Sequence, residues 1–147
     1  MFKRIVVGTD GSSTAARAVG EAIELAARLG ATLEVVSAYS PVPERELRRE
    51  RLEAPEDLQW AIGPTEEVEA VLAEAARQAE GAGVEVSTHA VEGEAADAIL
   101  AVAEQRQADL IVVGNKGMTG ARRFLLGSVP NKISHHAPCS VLIVRTT

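Results

Sequence analysis

The sequence predicts an α/β fold: a single-domain three-layer sandwich with helices on both faces of a five-stranded parallel sheet. Three observations carry this. Short aliphatic runs, Ile5-Val6-Val7, Leu110 to Val113 and Val141 to Val144, are continuous rather than alternating, as strands covered on both faces require. Between the strands lie stretches with apolar residues at three- and four-residue spacing, the helical crossovers that parallel neighbours need. The length of 147 residues suits one domain with a sizeable core, and with 46% apolar but only 3% aromatic residues that core must be built from Ala, Val, Ile and Leu.

Taken in order, Ile5–Val7 is the first strand. Residues 13–29 follow as a helix, with Ala15, Ala18, Val19, Ala22, Ile23 and Ala26 as its inward stripe, Ser12 or Ser13 as N-cap and Gly30 as the stop. Residues 33–38 are the second strand. A second helix starts after Pro64 with Thr65 as its cap and turns Val68, Val71, Leu72, Ala75, Ala76 and Ala79 inward before Gly81. Residues 84–91 alternate, with Val84, Val86, Thr88 and Ala90 on one side and Glu85, Ser87 and His89 on the other, which predicts a less covered edge strand with His89 solvated. A third helix spans about 94–106 with Ala96, Ile99, Leu100 and Ala103 inward, and residues 110–113 are the fourth strand. A short helix from Ser128 to before Pro138 and the strand 141–144 complete the chain. Residues 39–64, with four of the six prolines and ten charges, are too long for an ordinary connection and read as a flexible insert or lid.

Composition excludes several classes. No apolar run approaches a membrane span, and the N-terminus has too short an apolar stretch for a signal peptide. The single cysteine, Cys139, rules out an internal disulfide framework or a Cys-based zinc cage and fits a cytoplasmic protein. The formal charge is −6, yet Leu110 to Thr147 holds no acid and five cations, Lys116, Arg122, Arg123, Lys132 and Arg145, so the first 109 residues carry −11. An acid-free last quarter in an acidic chain suggests a surface facing an anion. Nucleic acid is the weaker partner, since these cations are interleaved with apolar segments and no aromatic platform accompanies them.

In an open parallel sheet, ligands bind outside the carboxyl ends of the strands where the strand order reverses. Two strand ends carry suitable turns: Gly8-Thr9-Asp10-Gly11-Ser12 and Gly114-Asn115-Lys116-Gly117, the latter directly after Val113. Glycine turns allow close ligand approach and form anion-binding nests. Gly127-Ser128 then opens the fourth helix, whose first N–H groups are unpaired and sit at the positive end of its dipole. The combined pattern, G-x2-G-x9-G-S over Gly114, Gly117, Gly127 and Ser128, suits a polyphosphate. It is neither a Walker A loop nor a G-x-G-x-x-G fingerprint.

Through IVVGTDGSSTAARAV, GEAADAIL…ADLIVVGNKG and LLGSVPNKISHHAPCSVLIVR, nearly the whole chain resembles the universal stress protein family, whose ATP-binding branch carries the same G-x2-G-x9-G-[ST] signature. The resemblance implies one such domain over 1–147, the adenine nucleotide alpha hydrolase-like strand order 3-2-1-4-5, a homodimer, and a cytoplasmic role in stress or growth arrest. It also implies nucleotide binding by Gly8, Thr9 and Asp10 beside the nucleotide, Ala38 at adenine, and Val113, Gly114 and Gly117 at ribose and phosphate. Gly127, Ser128 and Val129 would form the triphosphate-binding helix start. Pro130 departs from the family pattern and removes one N–H donor.

Other residues have plainer readings. Asp10 is either a ligand of a Mg2+ riding on the phosphates, or a general base, or a loop carboxylate capping the first helix. His135 and His136 compensate the dipole at a helix end. Cys139 is a small buried residue rather than a nucleophile; Trp60 and Tyr39 could stack on adenine, but pinning the long insert to the domain is the favoured role for Trp60. A regulator that binds ATP or another adenine nucleotide, and acts on an unidentified protein partner, is the leading function. A slow ATPase or self-phosphorylating enzyme using Asp10 and Mg2+ is the rival, with Lys116, Arg122 or Arg123 stabilising charge. A phospho-accepting receiver domain would need an acidic cluster that the sequence lacks. Val141 to Val144 reads as an apolar edge, and burying it against its own copy gives a homodimer through residues 141–145.

Overall fold

The computed structural model describes residues 1–39, 64–115 and 128–146. Of the expected insert 39–64, residues 40–63, including Trp60, lie outside them, Tyr39 ending a strand and Pro64 opening a helix; so do Lys116, Gly117, Arg122, Arg123 and Gly127. In chain order the elements are β1 (Arg4–Gly8), α1 (Ser13–Leu29), β2 (Thr32–Tyr39), α2 (Pro64–Gly81), β3 (Val86–Glu92), α3 (Ala95–Gln105), β4 (Leu110–Gly114), α4 (Ser128–His136) and β5 (Ser140–Val144). The sheet is parallel throughout, in the order β3-β2-β1-β4-β5. The chain thus builds outward from β1 through β2 to β3, then returns to add β4 and β5 on the other side. Right-handed crossovers place helices of the outward and return halves on opposite faces, and the reversal lies between β1 and β4.

Strand alternation feeds both faces. Ile5, Val7, Leu33, Val35, Leu110 and Val112 pack under α1 and α2, whereas Val6, Val36, Ile111 and Val113 pack under α3 and α4 with Ile99, Val102 and Ile133. Burying a side chain such as Ile5, Leu33, Ile99 or Ile111 completely contributes roughly 1.5–3 kcal/mol. Small residues on the helices, Ala18, Ala22 and Ala26 on α1 and Ala96 and Ala103 on α3, let them sit close to the sheet.

The expected stripe of α1 is the buried set of that helix; the Ser12 side chain caps it by accepting from the Ala15 N–H at 3.2 Å, and Gly30 ends it at φ 67°. Helix α2 begins at Pro64, so Thr65 lies inside it rather than capping it. The third strand requires correction. It runs from Val86 to Glu92, and Val84 is buried ahead of it with its N–H bonded to the Ala79 carbonyl at 2.9 Å. Thr88 and Ala90, expected inward, are exposed, whereas His89 is largely covered. On the covered side the His89 ring lies beside Glu34 of β2, whose carboxylate Arg106, just past the end of α3, also reaches. Both β3 and β5 are edges, and β5 exposes Leu142 (42%) and Ile143 (38%). Among the described residues no helix is long and apolar enough to cross a membrane.

Candidate functional site

The loop leaving β1 is held by its own polar groups. Thr9 is buried, and its N–H donates to the Val36 carbonyl of β2 at 2.9 Å, extending the ladder one residue beyond the strand. The Thr9 hydroxyl accepts from the Gly11 N–H at 3.1 Å, and Asp10 Oδ1 accepts from the Ser12 N–H at 2.8 Å. Asp10 is exposed, and its carboxylate shapes the turn that leads into α1 while retaining lone pairs beyond the one used by Ser12. Gly11 stands at φ +84°, and a β-carbon there would lie 2.7 Å from Val71 Cγ2 of α2. The glycine is therefore required twice, by backbone conformation and by the helix packed against the loop.

Gly114, the last residue of β4, faces a comparable constraint: a β-carbon would approach Thr146 Cγ2 to 3.2 Å. Thr146 is buried beyond the end of β5, and Asn115 ties it down. Asn115 Oδ1 accepts from the Thr146 N–H at 2.8 Å and from its hydroxyl at 3.0 Å, while the Asn115 N–H donates to the Val144 carbonyl at 2.9 Å. Sequence reasoning read this turn through its glycines and missed both residues. The available signal was an amide side chain directly after a strand-ending glycine.

At the third corner, Ser128 and Val129 are the first two residues of α4. Pro130 is third and fully buried, so it supplies packing instead of an N–H. No acid occupies the first turn. Gly8, Val113, Gly114 and Val129 line one cavity of about 20 Å3, together with Thr14, Ala15, Ala18, Pro130 and Thr146. That volume holds about one water, so a larger ligand would rest across the strand ends, outside the sheet. Ser128 precedes the lining residue Val129 in the chain and Ala38 lies near the carboxyl end of β2 opposite Val91, and neither lines this cavity. Thr9 instead contributes to a separate cleft of about 300 Å3 between α1 and α2, floored by Ala16, Val19, Val71 and Ala75 and rimmed by Glu74 and Gln78. Hydrogen bonds from Arg77 and Gln78 hold the Glu74 carboxyl down to about 2.

Of the five cations in the acid-free quarter, Lys132 does not face an open anion site: its Nζ lies 2.8 Å from Asp97 and 3.5 Å from Glu94 on the neighbouring helix, and the Asp97 bond raises its pKa. His135 and His136 are exposed in the last turn of α4, and Cys139 is half-buried against the α3 side of the core, where burial and then the Asp109 charge push its thiol pKa up. No group of three His, Cys, Asp or Glu residues among those described could hold a metal on its own. Sequence reasoning also missed Glu34. This β2 carboxylate is almost fully buried, bonded by Arg106 Nε, and 3.4 Å from His89 Nε2, which itself lacks hydrogen-bond geometry.

The family model described as "Universal stress protein family" matches residues 1–145. A universal stress protein of Mycobacterium tuberculosis is 37% identical over 147 residues, covering 99% of this chain and 98% of its own. Among solved structures, a universal stress protein in complex with cAMP is 34% identical, covers 99% of both chains and superposes with a TM-score of 0.74. The universal stress protein of Archaeoglobus fulgidus in complex with dAMP is 26% identical, covers 98% of both chains and has a TM-score of 0.68.

Proposed function

Because this chain belongs to the universal stress protein family, we propose that it binds ATP between the ends of β1 and β4 and acts as a nucleotide-dependent regulator in stress or growth arrest. The observation that carries the reading is the convergence of Gly8, Val113, Gly114 and Val129 on one crevice at the strand-order reversal, beside a helix start without acids. Adenine is assigned to the side of Ala38, with Thr9 and Asp10 beside the nucleotide, ribose and inner phosphates to Gly114 and Gly117, and outer phosphates to Gly127, Ser128 and Val129. The adenine nucleotides named for two relatives, cAMP and dAMP, support the base; the acid-free quarter favours a polyphosphate over either. A Mg2+ ion would be held by phosphate oxygens and Asp10, since no cluster among the described residues could hold it unaided.

Regulation is favoured over catalysis because Asp10 already shapes its own turn and no second acid stands on the first turn of α4. The protein would work in the cytoplasm as a homodimer joined through residues 141–145, where Leu142 and Ile143 are exposed on an edge strand. Its protein partner would read the nucleotide state.

Calorimetry with ATP, cAMP and dAMP, in the presence of Mg2+, tests the reading. ATP should bind most tightly, and Gly117→Val should weaken it, because a branched side chain would block the close approach that glycine allows a nucleotide. Equal ATP affinity in Gly117→Val and the parent would overturn the site. Any ATP turnover should be slow and disappear in Asp10→Asn, whose amide oxygen can still accept from Ser12; unchanged turnover would remove Asp10 from the chemistry. Ile143→Lys should sediment as a monomer, and a parent that is itself monomeric at micromolar concentration would refute the dimer.

A further inference from the structure

Strand β5 lies at the sheet edge, apart from both glycine turns in sequence, yet its end is fastened to one of them. Three hydrogen bonds make the fastening: Thr146 N–H and Thr146 hydroxyl to Asn115 Oδ1, at 2.8 and 3.0 Å, and Asn115 N–H to the Val144 carbonyl at 2.9 Å. The Thr146 methyl lies 3.2 Å from where a β-carbon on Gly114 would stand, and the same residue lines the cavity shared by Gly8, Gly114 and Val129. Thr146 is 8% exposed, so its N–H and hydroxyl would lack partners if Asn115 were removed. A part-buried polar pair thus spans 31 residues and meets beside the crevice at the strand-order reversal.

We propose that Asn115 and Thr146 are a positioning pair, which sets the Gly114 turn for nucleotide and makes the end of the edge strand β5 part of the nucleotide site. The proposal rests on the ATP-binding reading above. Neither residue needs to touch the ligand. Asn115 holds the backbone leaving Gly114, and Thr146 sets how near that backbone lies to β1 and α4. Bound nucleotide that orders the turn must, by linkage, also order the end of β5.

Three substitutions grade the contact. Thr146→Ser keeps both hydrogen bonds and should bind ATP within about twofold of the parent. Thr146→Val keeps the shape and the N–H bond but loses the hydroxyl bond, and should bind several-fold more weakly. Asn115→Ala loses both bonds to its side chain and should bind at least about tenfold more weakly. If Asn115→Ala fails to fold, the contrast between Thr146→Val and Thr146→Ser decides. Hydrogen exchange gives a second readout: at equal saturation with ATP, exchange at the Thr146 amide should slow by a larger factor in the parent and in Thr146→Ser than in Thr146→Val, a difference that ligand binding alone does not produce. A parent that binds ATP, with Thr146→Val and Asn115→Ala binding equally well, overturns the positioning pair alone. So does a Thr146 amide whose exchange ignores ATP. A parent that binds no ATP overturns the nucleotide reading and the pair with it.

Discussion

Gly11→Ala tests how the first loop is built. Two costs combine at that position. An L-residue held at φ +84° is strained by about 1–2 kcal/mol, and the new β-carbon would lie 2.7 Å from Val71 Cγ2, a contact that one side must relieve. Val71 is β-branched on a helix, where a single rotamer dominates, so it cannot simply turn away; overpacking of this kind costs about 1–3 kcal/mol. The expected total is about 2–5 kcal/mol. Gly30 supplies the control, since it stands at φ +67° with nothing within 4 Å of a β-carbon, and Gly30→Ala should cost only the backbone part, about 1 kcal/mol. Urea unfolding of both variants, and of Gly11→Ala combined with Val71→Ala, separates the terms. The double variant should be more stable than additivity predicts by about 1–2 kcal/mol, because the second change opens space for the first. If Gly11→Ala costs no more than Gly30→Ala, or the pair is additive, α2 does not press on this loop and the packing argument fails.

Other expectations follow from buried polar groups. Arg106→Ala should destabilise more than Glu34→Gln: the first strands a carboxylate that is 2% exposed, whereas the second frees a guanidinium that is already 44% exposed. Solvent around Arg106 puts the first at about 2–3 kcal/mol, below the 3–5 of a fully buried pair, and the second at about 1 kcal/mol; the reverse order in urea midpoints would refute the burial asymmetry. Cys139 should react with an aromatic disulfide more slowly than the same thiol in the urea-unfolded chain, because burial favours its neutral form. The folded pKa is raised, so the native state keeps its proton longer; this stabilising contribution is intact below the unfolded thiol value of about 8.5 and is lost as pH rises further. Cys139→Ala should remove that alkaline decline, and equal reactivity in folded and unfolded chains would contradict it.

Helix α1 was legible in full because its determinants are local: Ser12 caps it, Gly30 ends it, and six apolar residues at helical spacing are the six it buries. The sheet was legible for a related reason. Continuous aliphatic runs mark β1 and β4 as covered on both faces, although the like run from Val141 to Val144 belongs to an exposed edge strand, and the alternation at 84–91 marks β3 as less covered. Two glycine turns after β1 and β4 likewise mark where a ligand could approach. What local pattern does not contain is the partner. Period-two alternation separates the faces of β3 without saying which one the fold will cover, so it predicts a solvated His89, whereas the imidazole is largely covered with its Nε2 3.4 Å from Glu34. The family resemblance named the glycines of the fourth-strand turn and not the Asn115–Thr146 pair that secures it, since those bonds cross 31 residues and exist only when β4 and β5 lie in register. Spacing along the chain decided which segments become helix and strand. Hydrogen bonds and contacts between segments distant in sequence decided which polar groups are buried, because a buried donor or charge is tolerated only where the assembled fold brings it a partner.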